Sequence, residues 1–456
     1  MKRVFAVLFG LGFVLVGIGT TGAVNYSYTE LYIPGIAMDM NNNGTIVGTY
    51  YEPCIENRLD CGYIGFLYQG STWTKWAHYS TPRIGDHFMA VNNNDAVAGW
   101  YYGGDANGLT LENGIFTDIR HPDYRDTLLM DINDTGKMVG FTFVEWGGLE
   151  STAGFLYDGS VFTVLESPAG QFHPCRINNN GTIIGSRGCP MDEVKYEDGD
   201  YTTSTWYSFN GTTWKELIYP GATSTIPWEL NNLNIVVGQY TDSAGKTHAF
   251  RFNGANWVSG DYPGAIETIA YDINDKGLIV GSYKDADGKR HGFSYINGVW
   301  SSLDYPGATD TYARLVNNNG LIVGSFTKDG QEGQFLATPL STVAIDIRPW
   351  NSSNLINRKD WGLLPVAILS NSEFDAVDIM DLDTITFGRT GDEHSMAFCS
   401  PIEWNVNRDS YKDLVCFFWI QRTGFQCGDT QGVLKGTTQS GIHVEAKDSV
   451  RVIPCK

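Results

Sequence analysis

Carboxylates and one guanidinium recur at equivalent positions along this chain. Two residues ahead of a repeated asparagine stand Asp39, Ala90, Asp131, Arg176, Glu229, Asp272 and Leu315. Brought together, four acids and one Arg have the chemistry to hold an ion or a polar substrate; Asp residues beside turns also commonly brace the turn itself. A second set lies in three long stretches, Tyr51–Tyr63, Thr142–Thr152 and Ser186–Thr205. They carry acids (Glu52, Glu56, Asp60, Glu145, Glu150, Asp192, Glu193, Glu197, Asp198, Asp200) and the rings Tyr51, Tyr63, Trp146, Tyr196 and Tyr201. Carboxylates beside aromatic rings suit cations or sugar rings, and long loops on a rigid scaffold are where binding usually sits. The plainer reading is tolerated insertions. A third set, Asn405, Asn407, Asp409 and Asp413, places oxygens at spacings 1, 3, 5 and 9, a pattern that suits Ca²⁺. Ser410 stands where such a loop favours Gly, and Cys416 where an EF-hand has its bidentate Glu; the plainer reading is a polar turn before a strand. The chain contains no G-x-S-x-G elbow, H-E-x-x-H pair, phosphate-binding loop or dinucleotide fingerprint. Paired carboxylates for glycoside hydrolysis are a spatial matter that the sequence cannot select.

The positioning elements come from a repeat. Seven times between Met40 and Gly324 an apolar residue, two or three Asn/Asp, a turn and a short apolar run recur. Clear copies begin at Met40, Ile132, Ile177, Ile273 and Val316; those at Val91 and Leu230 are degraded. A period of roughly 40–50 residues indicates a stacked or ring-like array. The sixth unit predicts four strands: 268–273, 278–283 after the Asn274–Gly277 turn, 291–295, and 299–304 after the Asn297-Gly298 hairpin signal. Four short antiparallel strands per unit describe a propeller blade; a right-handed β-solenoid is the rival, but its coils are shorter. No helical periodicity follows the first 23 residues. The last unit lacks a Trp-bearing fourth strand, and Tyr28–Gly35 resembles an orphan one. The expectation is an all-β chain: a seven-bladed β-propeller over residues 24–341, its ring closed by the N-terminal strand, then a small β-sandwich over 342–456. Strand parity puts the three long stretches on one face.

His248-Ala249-Phe250, its variant His291-Gly292-Phe293, Gly65-Phe66-Leu67-Tyr68, Gly154-Phe155-Leu156-Tyr157 and the Tyr-Pro-Gly-Ala copies at 219–222, 262–265 and 305–308 carry a resemblance. Over about residues 29–340 the chain resembles the HAF-repeat family of exported bacterial proteins. That resemblance implies a β-propeller-like fold outside the cytoplasm and no particular reaction. His248 and His291, at equivalent positions, read as a recurring structural hydrogen bond. Ile345–Pro349, Leu363–Leu369, Phe374–Ala376, Thr386–Gly388 and Thr423–Asp429 resemble a small β-sandwich at the C-terminus of many secreted bacterial and archaeal proteins. The short junction near Pro339–Thr342 predicts that the two parts pack together.

Met1-Lys2-Arg3, the apolar run to Ile18 and Thr21-Gly22-Ala23 read as a signal peptide cleaved after Ala23, leaving no membrane span. The eight cysteines are grouped locally, and in an exported chain they are expected to pair: Cys54–Cys61, Cys175–Cys189, Cys399–Cys416 and Cys427–Cys455, the last four residues having three pairings open to them. With 51 acidic against 31 basic residues the net charge is −20, which excludes phosphate-backbone partners such as nucleic acid. The expected protein is secreted, periplasmic or on the cell surface, by default monomeric. It binds an extracellular glycan or protein without catalysis, with Ca²⁺ as its one candidate cofactor. The alternative is an extracellular polysaccharide hydrolase or lyase built on a propeller.

Overall fold

A computed structural model describes residues 25–33, 35–52, 62–70, 72–77, 85–146, 149–189, 205–351, 353–371, 374–439 and 443–454. The expected signal peptide, Cys54, Cys61, Tyr196, Tyr201 and Cys455 lie outside the described residues, as does the side chain of Trp146.

The chain is all-β, built from antiparallel sheets of four strands, as in propeller blades. Six such sheets follow one another in chain order from Ile36–Met40 to Val299–Leu303. The sixth has strands Glu267–Ile273, Ile279–Lys284, Arg290–Ile296 and Val299–Leu303, each within about one residue of the sequence expectation. The next unit supplies Asp310–Val316, Ile322–Lys328 and Gln331–Thr342, and its fourth strand is the N-terminal Asn25–Leu31, paired antiparallel from Asn25↔Leu340 to Leu31↔Gln334. One expectation is corrected. Thr142–Thr152 is not an irregular insertion: Met138–Trp146 and Leu149–Tyr157 continue as a paired hairpin out to Trp146↔Leu149, because Phe143, Val144 and Trp146 are good strand formers. Among the described residues helical structure is confined to Ala376–Ile379 and the short turn Ile420–Arg422, in keeping with the all-β expectation. Among the described residues no helix is long and apolar enough to cross a membrane.

Each first strand carries a β-bulge. Register slips between Ala37/Asp39, Phe88/Ala90, Leu129/Asp131, Pro174/Arg176, Pro227/Glu229, Ala270/Asp272 and Ala313/Leu315. A bulge sets two residues against one and re-aims the side chains beside it. It also explains the Gly of each second strand: a Cβ on Gly281 would lie 2.0 Å from the carbonyl oxygen of Ile269, and one on Gly48 1.9 Å from that of Ile36. Apolar cores fill the seams between successive units, for example Val237 and Ala249 of one with Ala270, Ile273, Ile279 and Phe293 of the next. The Tyr of each Tyr-Pro-Gly-Ala is a seam ring: Tyr219 stacks on Tyr240 and Tyr262 on Tyr283 at 3.7 Å, and Tyr305 on Phe326 at 3.8 Å.

Beyond Val343 a separate core forms around Ile347, Val366, Phe387, Phe418 and Leu434. One sheet joins Ala344–Ile347, Leu363–Leu369, Leu414–Trp419 and Met396–Cys399. The other joins His443–Ser449, Gln431–Thr438 and Met380–Gly388. Strand Gln331–Thr342 crosses the junction: Leu340–Thr342 pair in parallel with His443–Glu445. The second part is therefore hydrogen-bonded to the last repeat unit.

Candidate functional site: the central cavity and its two mouths

The repeated asparagines build one end of the site. The first Asn of each motif is buried, between 3% and 5% exposed. Its Oδ1 accepts two backbone N–H groups of its own turn, as Asn178 does from Asn180 (3.1 Å) and Thr182 (2.9 Å). Its Nδ2 donates to the backbone carbonyl of the matching Asn in the next unit. The circuit runs Asn41, Asn92, Asn133, Asn178, Asn231, Asn274, Asn317 and back to Asn41, at 2.8 to 3.1 Å. A second circuit lies beside it. The backbone N–H of Asn42 donates to the Oδ1 of Asn93, and so on through Asp134, Asn179, Asn232, Asp275 and Asn318 back to Asn42, at 2.7 to 2.8 Å. The motif is thus more than turn chemistry; it fastens neighbours. The two degraded copies fasten harder. Asp95 and Asn234 hold the positive-φ position that Gly holds elsewhere, and each accepts a further hydrogen bond at 2.7 Å, from Asn41 and Asn178.

The acid column lines a cavity of about 180 Å³ framed by all the first strands. Sequence placed Asp39, Asp131, Arg176, Glu229 and Asp272 together, and they are together. Their oxygens brace neighbouring units, where their own turns were expected. Asp39 accepts from its neighbour Met40 and from Val91 of the following unit, both at 2.7 Å. Asp131 does the same with Ile132 (2.8 Å) and Ile177 (2.7 Å), and Asp272 with Ile273 and Val316 (both 2.6 Å). Glu229 accepts from Leu230 (2.9 Å) and from the Nε of Arg176 (2.7 Å). Burial pushes the Asp39 carboxyl up to about 6, against the pull of the Val91 and Met40 amides. Burial also raises Asp131, opposed by Arg176, and Asp272, where the Glu229 charge adds to it. Burial works against the Arg176 charge, but Glu229 and Asp131 outweigh it and the guanidinium stays protonated. The Arg176 and Glu229 side chains keep 30% and 24% of their surface exposed, so water in the cavity moderates all these shifts.

At the other end of the first strands lies a smaller cavity of about 60 Å³, sharing Met38, Met89, Met130, Arg176, Glu229, Asp272 and Leu315 with the first. Its rim is Met38, Met89, Met130, Trp228, Tyr271 and Arg314, the residues directly before the acid column. Sequence reasoning missed this column because the two-residue period of a strand puts adjacent side chains on opposite faces. The bulge cancels that alternation, and the recurring second-strand Gly was the signal for it. Trp228 meets Tyr271 edge-on at 5.5 Å, and the Arg314 guanidinium lies over Tyr271 at 4.9 Å and Tyr312 at 5.1 Å.

The remaining candidates are dispersed. Tyr51 and Tyr63 are exposed cross-strand partners, edge-on at 5.3 Å. Tyr63 leans on His87, which stacks on Trp100 at 3.9 Å; burial pushes His87 down to about 4 and leaves it neutral. His248 is held between Asp261 (2.8 Å) and Asp242 (3.3 Å), and His291 between Asp304 (3.0 Å) and Asp285 (3.2 Å), a recurring structural bond. In the C-terminal part Asp413 is fully buried and accepts from the amides of Ser370 (2.9 Å) and Val406 (2.6 Å). The Asn407 amide donates to Asp409 at 2.7 Å, and the Asn405 amide to the Asp409 carbonyl. Asn405 and Asn407 are thus tied to Asp409, and Asp413 to Ser370 and Val406. Among the described residues no group of three or more His, Cys, Asp or Glu is arranged to hold a metal. Disulfides join Cys175–Cys189 and Cys399–Cys416 as expected. Cys427 is disulfide-bonded.

No protein-family model matches the chain, and no curated protein matches it. Among solved structures, the chain is similar to YCF48 bound to D1 peptide, at 12% identity and a TM-score of 0.43, covering 69% of this chain and 95% of that one. TolB from Acinetobacter baumannii is 10% identical with a TM-score of 0.35, covering 64% of this chain and 63% of that one. The β-propeller domain of the Trilobed protease from Pyrococcus furiosus is 8% identical with a TM-score of 0.33, covering 62% and 96%. Likeness at this level carries no functional argument.

Proposed function

We propose that this is a secreted, non-catalytic binding protein. It has a seven-bladed propeller of HAF-like repeats closed by its N-terminal strand, then a β-sandwich, and its ligand is an extracellular glycan or other macromolecule. The observation that carries the non-catalytic reading is the use of the cavity acids. Asp39, Asp131 and Asp272 each commit both oxygens to backbone N–H groups, and Glu229 commits its own to Leu230 and Arg176. A glycosidase needs one carboxyl free to donate a proton and another free to attack or to activate water; here these groups fasten strands. Support for the closed ring is the return of both asparagine circuits to their start. Support for a compartment outside the cytoplasm is the pair of disulfides.

The test is a glycan array run beside a hydrolysis screen on the mature protein. Binding without product release is the expected result. Release of shortened or unsaturated sugars, abolished by Asp131→Asn, would establish the rival polysaccharide hydrolase or lyase.

A further inference from the structure

The two mouths of the cavity differ in chemistry, and the difference follows the repeat. The motif end is rimmed by asparagines that are spent on one another. The other end divides into sectors. The first three units contribute Met38, Met89 and Met130, and the fourth Arg176. The last three contribute Trp228, Tyr271 and Arg314, all half-buried. In those three units the second-to-third-strand connections are short, 242–246, 285–289 and 329–330.

That sector is held stiffly from behind. The Arg290 guanidinium, 9% exposed, donates to Ser282 at 2.9 Å, is paired with Glu267, and lies over the Tyr312 ring at 5.3 Å. Ser282 in turn meets the Tyr271 hydroxyl at 3.2 Å. Tyr271 and Tyr312 then sandwich Arg314, and the Trp228 indole N–H donates to Gln239 at 3.4 Å. Ring planes and guanidinium are fixed before any ligand arrives, which lowers the ordering cost of binding.

Resting on the binding-protein reading above, we propose that Trp228, Tyr271 and Arg314 form a subsite for one ring of a neutral polysaccharide. A sugar ring has an apolar C–H face and a rim of hydroxyls that both donate and accept. Trp228 supplies the flat apolar surface and Arg314 the donors. The two cations Arg176 and Arg314 face the two acids Glu229 and Asp272 in this mouth, and the chain carries a net charge of −20; both disfavour a polyanion. A cavity of about 60 Å³ has room for a few waters, so only an exocyclic group of the sugar enters while its ring rests on the rim.

The experiment follows tryptophan fluorescence and calorimetry of the mature full-length protein with cello-, manno- and xylo-hexaose and with oligogalacturonate. The expected result is binding of a neutral hexaose that Trp228→Ala and, separately, Arg314→Gln each weaken at least tenfold. Tyr51→Ala leaves it unchanged, and Trp228→Phe, which keeps a ring, retains most of it. Equal binding by wild type, Trp228→Ala and Arg314→Gln overturns this subsite and leaves the binding-protein reading intact. Binding of oligogalacturonate alone overturns the neutral class. No binding by wild type to any of these sugars overturns the subsite and removes glycans of these kinds from the functional reading.

Discussion

Asn178→Ala separates fastening between units from ordinary turn bracing. Asn178 is 5% exposed and makes four hydrogen bonds. Two are accepted within its own turn, from Asn180 and Thr182. Two are donated across the seam, to the Asn231 carbonyl at 2.9 Å and the Asn234 Oδ1 at 2.7 Å. Asn210 is the internal control: its Oδ1 accepts from Thr212 and Thr213 and braces an exposed hairpin turn. Truncating such an exposed brace costs about 1 kcal/mol. Truncating Asn178 loses a comparable amount in its turn. It also strips a buried carbonyl of its donor, at about 1–3 kcal/mol, for a total of about 3 kcal/mol. Asn178→Asp keeps the turn acceptors but sets an oxygen against the Asn231 carbonyl, so it should be no better than Ala. Urea unfolding followed by circular dichroism, with the three variants compared at a common slope, reads these differences. Equal losses for Asn178→Ala and Asn210→Ala, or full rescue by Asp, would refute the fastening argument.

Arg176→Met should destabilise by about 2–3 kcal/mol at pH 7, less than a fully buried pair loses because cavity water reaches the site. The sign of its pH dependence is fixed. Asp39 has a folded pKa of about 6, above its ordinary 3.8, so its contribution to stability is greatest below about pH 4 and is lost as the pH rises through 6. Removing Arg176 raises Asp39 and Asp131 further, so melting curves at pH 5 and pH 7 should differ more for the variant than for wild type; a pH-independent loss would contradict this. Gly281→Ala, whose Cβ would lie 2.0 Å from the Ile269 carbonyl, should cost more than about 3 kcal/mol or prevent folding, whereas Gly288→Ala, in an open turn at φ 84°, should cost about 1. Deleting residues 24–31 removes the fourth strand of the last unit and should lower the melting temperature by several degrees; no change would refute ring closure. Because Asp413 already accepts two backbone amides, added calcium should leave the melting temperature unchanged, and a rise would show that the loop reorganises around the ion.

Much of the architecture was legible because its determinants are local. Asn-Asp-Lys-Gly and Asn-Asn-Asn-Gly can only be tight turns, Asn297-Gly298 a hairpin, and the apolar runs between them strands, so the strand count and the role of Tyr28–Leu31 were readable. The equivalence of Asp39, Asp131, Arg176, Glu229 and Asp272 was readable too, since a fixed offset from a repeated turn means a fixed place in a repeated sheet. What those side chains do was not. The same Asp can brace its own turn or accept an amide from the next unit. The choice depends on where Val91, Ile177 and Val316 lie, between 44 and 52 residues away in sequence. The bulge likewise exists only in the pairing of two strands. It turned Trp228, Tyr271 and Arg314 toward the cavity against the simple alternation that sequence patterning assumes. The repeat thus determined which positions are alike. Only the tertiary structure decided which of them are spent on holding the units together, because hydrogen bonds across a seam join residues that no local pattern connects.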